Sequence, residues 1–129
     1  MSLRLGYFQE FKGSDMVALS CEPDEVNALR ALLSDAMAHG RAVAIHDLAQ
    51  VSGRHPARLF VCPTAAALQP GRGDFVWRLS QSEFLDVDSK LEALEDSNVG
   101  HQYFTLPGTR ATLMVSVGEY SDQWWQHDA

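Results

Sequence analysis

Three places in this chain bring together residue types that could do chemistry. His46 and Asp47 are adjacent, and His55 stands across a short polar stretch. Two imidazoles and a carboxylate are donors that a divalent metal takes, but their spacing follows no zinc-site pattern. The expectation is therefore a strand ending in a polar loop, with no metal. His101 follows Gly100, and Glu119 and Tyr120 follow Gly118, each at the end of a strand-like run. An imidazole beside a carboxylate can move a proton at neutral pH, so converging ends would allow general acid or base work. The competing reading has His101, Gln102 and Tyr103 closing a strand end by hydrogen bonds. Trp124 and Trp125 form the third place. Two indoles left in water would waste a large apolar area. They either pack back over the chain's own sheet, form a self-association surface, or anchor another protein.

Recognised catalytic signatures are missing. The chain has no Gly-x-Ser-x-Gly, no phosphate-cradling glycine loop and no His-Glu-x-x-His. Gly71-Arg72-Gly73 lies between a proline and a strand-like run, where turn chemistry accounts for it. Cys21 and Cys62 lack Cys-x-x-Cys or Cys/His spacing and read as buried free thiols, with neighbouring positions across a sheet as the alternative. No cofactor is expected.

The elements that must position these residues are legible from periodicity. Leu3, Leu5, Tyr7 and Phe11 alternate onto one side of a strand, a turn spans Lys12 to Asp15, and Met16 to Ser20 completes a hairpin. Pro23, Asp24 and Glu25 suit a helix start. Val26, Leu29, Leu33 and Ala36–Met37 recur at helical spacing up to Gly40. A short strand over 42–45 and a polar loop over 50–56 precede a strand over 58–62. A surface connection from Pro63 to Asp74 leads to a strand over 75–79. Ser80 and Glu83 stand in capping-box spacing ahead of a helix with Phe84, Val87, Leu91 and Leu94 on its apolar stripe, ended by Val99-Gly100. Strands over 101–106 and 112–117 flank a turn.

These elements predict a single α+β domain over 1–129, with two helices on one face of a mostly antiparallel sheet. A duplicated strand-helix-strand-strand unit is a further expectation, because Ser20/Ser80 and Gly40/Gly100 share an offset of sixty. The length of 129 residues and 46% hydrophobic content suit one self-sufficient core. No apolar run reaches the ~18 residues of a membrane span, and the first residues lack a signal peptide's hydrophobic stretch, so a cytoplasmic protein is expected. The net charge of −7 repels nucleic-acid backbone and anionic lipid, which argues against both as partners.

Trp77-Arg78-Leu79-Ser80, the acidic helix after it, Gly100 to Phe104 and Leu113 to Tyr120 resemble small uncharacterised bacterial proteins. Some similar proteins are immunity proteins, which neutralise a toxin by binding it. The resemblance covers residues 75–120 and implies a non-catalytic protein-binding module. Expected partners are a protein or a second copy of the chain, with a homodimer preferred. Trp124, Trp125, Glu119, Tyr120 and His101 are the candidate contact residues. The alternatives are a structural or oligomeric protein, or a small enzyme using His101 and Glu119.

Overall fold

The computed structural model describes residues 3–11, 13–52, 57–120 and 124–125, without the side chains of residues 10 and 11. The inward placing of Phe11, the position of Lys12, the loop residues 53–56 and most of the tail therefore lie outside the described residues. Strand β1 (Arg4–Phe11) turns at Gly13 into β2 (Ser14–Cys21), in the expected antiparallel hairpin. Leu3 and Leu5 point inward. A 3-10 turn over Pro23–Glu25 feeds α1 (Val26–His39), which buries Val26, Leu29, Leu33 and Ala36. Gly40 ends α1 in the left-handed conformation (φ 64°), donating its N–H to the Ala36 carbonyl.

Strand β3 is only Val43–Ala44, because Ile45–Asp47 forms a 3-10 turn rather than extending the strand. Gln50–Val51, expected as loop, is strand β4 and runs parallel to β1. Then follow β5 (Arg58–Pro63), β6 (Asp74–Leu79), α2 (Gln81–Ser97), β7 (Gly100–Thr105) and β8 (Thr112–Val117). Ser80 caps α2 as its sequence requires: its hydroxyl accepts the Glu83 N–H at 3.2 Å, and Glu83 accepts the Ser80 N–H at 2.9 Å. Asn98, left-handed at φ 65°, ends α2, while Gly100 opens the next strand.

The fold is α+β, but its strands form two mixed sheets rather than one mostly antiparallel sheet. One sheet has the order β4-β1-β2-β8-β7 and the other β3-β5-β6. Among the described residues, three pairings are antiparallel (β1/β2, β3/β5, β7/β8) and three parallel (β1/β4, β2/β8, β5/β6). The physical reason is range. Turn signals reveal local hairpins, whereas β2/β8 pairs residues from opposite ends of the chain, with Met16 opposite Thr112. The helices pack on each other, α1 also against β5 and α2 against β6 and β7. One core joins both sheets and both helices, with Leu19, Leu33, Leu59, Trp77, Leu91 and Leu113 at its centre. Among the described residues, no helix is long and apolar enough to cross a membrane.

The expected repeat is present in the topology, at an offset of 58 rather than sixty. Glu22 and Ser80 precede the helices, Glu25 and Glu83 accept their N–H groups, and Gly40 and Asn98 end the helices left-handed. The stripes Val26/Leu29/Leu33/Ala36 and Phe84/Val87/Leu91/Leu94 correspond one to one. Each unit is strand, helix, then an antiparallel pair: β2-α1-β3-β5 and β6-α2-β7-β8. The units are interlocked, because β2 pairs in parallel with the other unit's β8, and β6 with the other unit's β5.

Candidate functional site

The outer face of the five-stranded sheet gathers every candidate contact residue. Register places Met16, Ala18 and Ser20 of β2 on this face, beside Met114 and Ser116 of β8, since their alternates Val17, Leu19, Leu113 and Val115 fill the main core. His101 stands opposite Ser116 across the β7/β8 ladder.

The strand ends that carry His101 and Glu119 do converge. His101 Nδ1 lies 2.8 Å from Glu119 Oε1, and both side chains are about one-third exposed. A carboxylate accepts, so Nδ1 is the donor in this contact. The Tyr103 ring meets the imidazole edge-on at 5.0 Å. The Ser116 hydroxyl is wholly buried and makes no hydrogen bond among the described residues. A serine, a histidine and a glutamate are thus neighbours, but the serine is neither bonded to the imidazole nor open to a substrate, as nucleophilic catalysis requires. Neither cleft described below is lined by His101 or Glu119. The contact ties the start of β7 to the residues after β8.

Trp125 is buried against Met16, Ala18 and Met114, with Phe8, Tyr120 and Trp124 around it. Gly6 permits this. A Cβ there would stand 3.0 Å from the Trp125 ring and 2.9 Å from the Ser52 carbonyl. Trp124 is half-buried, perpendicular to Trp125 at 5.2 Å, and stacked obliquely on Tyr120 at 4.6 Å. The backbone at both tryptophans is helical. Trp125 packs on its own sheet, while Trp124 and Tyr120 beside it are only partly buried.

Of the metal-like cluster, His46 makes a backbone contact. His46 Nδ1 accepts the Leu59 N–H at 3.1 Å, which supplies a partner where the two-residue β3 no longer pairs with β5. The ring stands edge-on to Phe60 at 4.9 Å. Asp47 Oδ1 is 3.8 Å from Nε2, and His55 lies outside the described residues. No cluster of three or more metal-binding side chains occurs among the described residues. Gly71 belongs to a turn in which its N–H bonds the Asp74 carboxylate at 2.7 Å. Cys21 and Cys62 are buried free thiols in different sheets, not neighbours across one.

Two features escaped the sequence. Arg30 of α1 bonds three carboxylates of α2: Asp88 through both oxygens at 2.9 and 3.1 Å, Glu92 at 3.0 Å and Glu95 at 3.1 Å. The guanidinium hydrogen bonds hold the Asp88 carboxyl below its ordinary range, and the three acids raise the Arg30 pKa in turn. The signal was Asp88, Glu92 and Glu95 at helical spacing, a strip needing a cation from a neighbour. The second is a cleft of about 360 Å³ between β6 and β7, floored by the first turns of α2. A smaller cleft of about 250 Å³ adjoins it at Arg78 and Pro107. No family model matches this chain, and its sequence matches none of the curated proteins.

Proposed function

We propose that this chain is a non-catalytic protein-binding module whose acidic helical layer docks a basic partner, with bacterial toxin neutralisation as its sharpest form. The segregation of charge carries the reading. Residues 22–39 hold four acidic side chains and one basic, and α2 holds six acidic and one basic, a net −8. The whole chain carries −7, so everything outside these segments amounts to +1. A field concentrated on one layer steers an oppositely charged partner and raises its association rate. Asp86, Glu92 and Asp96 lie exposed on that layer, together with the apolar Leu85.

The test is co-expression with the product of the gene immediately upstream. Growth should be rescued from a toxic product, and the purified pair should associate. The association rate should fall about tenfold or more on raising salt from 50 to 500 mM, an order expected for steered encounter. Asp86→Lys with Glu92→Lys should slow association similarly, with the fold intact by circular dichroism. An association indifferent to both would overturn the acidic layer as the docking face.

A further inference from the structure

We propose that the free edge of β6 takes up an extended segment of a partner protein as an added strand. Among the described residues, strand β6 pairs with β5 on one side and with no strand on the other. The Leu79 carbonyl accepts the Thr64 N–H from the β5 side, so by alternation Phe75, Trp77 and Leu79 turn their backbone groups to β5. Val76 and Arg78 turn theirs to the open side. No backbone hydrogen bond reaches either from that side among the described residues. The connection over 64–73 lies near but does not pair. It is tethered instead by the Arg78 guanidinium, which donates to the Ala66 and Leu68 carbonyls at 3.2 Å each.

The internal repeat says what belongs there. Under the offset of 58, β6 is the counterpart of β2, with Phe75, Trp77 and Leu79 matching Val17, Leu19 and Cys21 in the core. The edge of β2 that corresponds to this open side is covered by β1. The residues ahead of β6 form no such strand, and the second unit is left with two adjoining clefts, walled by β6, by Tyr103 and Thr105 of β7, and by Pro107. Unpaired edges of this kind bind peptides through main-chain hydrogen bonds, with alternate side chains setting preference. The occupant is a strand of β1's kind, with apolar residues at alternate positions as in Leu3, Leu5 and Tyr7. Asp86 of the helical layer lines the cleft beside this edge but Glu92 does not. Glu92→Lys alone should therefore slow docking on the helices and leave occupancy of the edge unchanged, and the two readings fail separately.

The probe is a synthetic peptide of the sequence of residues 3–11, added to the full chain. Hydrogen exchange at the Val76 and Arg78 amides should slow about tenfold or more at saturation, as for amides newly placed in a ladder. Peptides N-methylated at odd or at even positions should split, one binding and the other not, because a strand presents alternate amides to one neighbour. Val76→Pro removes an edge donor that no native ladder uses, and should abolish binding. Should that variant misfold, the methylated pair decides alone. Unchanged exchange at Val76 and Arg78, or protection appearing in β2 instead, would overturn the proposal. Protection that grows with protein concentration in the absence of peptide would also overturn it, in favour of a second copy on the edge.

Discussion

Single residues here are governed by what burial does to polar atoms. Cys21 ends β2 beside Val117 of β8, and burial, reinforced by Glu25, Glu22 and Asp24, pushes its thiol up to about 12. Burial also raises Cys62, partly offset by Arg78. An unfolded thiol ionises near 9.0, so above that pH the unfolded chain releases a proton that the native chain keeps. The contribution is therefore complete below pH 9 and is lost as pH rises towards about 12. We expect stability to fall by about 1 kcal/mol per pH unit across this window from Cys21 alone. Cys21→Val should flatten the decline in urea titrations at pH 8, 9.5 and 10.5. His46 shows why residue roles were only partly legible. It was expected only to end a strand in a polar loop, and its partner, the Leu59 N–H, is fixed by where a two-residue strand stops. The His101–Glu119 contact was legible because glycines mark both strand ends in the sequence.

Elements were the most legible scale, because caps and stripes are local. Both helices, both apolar stripes and the Ser80–Glu83 box lie where periodicity put them. The stripe makes Leu91, fully buried, a clean probe: Leu91→Ala should cost about 2–5 kcal/mol in denaturant titrations. The helix pair was less legible, since Arg30 reaches its carboxylates 58 to 65 positions away. Arg30→Met leaves Asp88, Glu92 and Glu95 facing one another without a cation. Because the carboxylates are partly exposed, the expected cost at pH 7 is about 1–2 kcal/mol. The sign with pH follows from Asp88, whose folded pKa is depressed below 3.8. Its stabilisation is complete above the unfolded value and is lost as pH falls through the folded one. The gap between wild type and Arg30→Met should therefore shrink from pH 7 to pH 3. A gap unchanged at pH 3 would mean that packing of the arginine stem, not charge, is what the helix pair needs.

For the whole molecule, the interlocking of the two units decides how it comes apart. Local signals could not reveal this, because Ser20/Ser80 and Gly40/Gly100 are coincidences of residue type that point to the wrong offset. The structural match runs through dissimilar pairs such as Glu22/Ser80 and Gly40/Asn98. Parallel pairing of β2 with β8 and of β5 with β6 places strands of both units in each sheet. Leu19 and Leu29 of the first unit share a core with Trp77 and Leu91 of the second. Neither unit can open without stripping a strand from the other's sheet and exposing that core. Side-by-side repeats would instead let one unit loosen while its neighbour stayed folded. We expect urea unfolding followed by fluorescence, which reports the buried Trp77 and Trp125, to coincide with unfolding followed by far-ultraviolet circular dichroism. A core substitution in one unit, Leu33→Ala, should lower both midpoints equally and leave amide protection in α2 no higher than in α1. Separate transitions, or α2 amides that outlast α1 in that variant, would show that the second unit folds without the first despite the shared sheets.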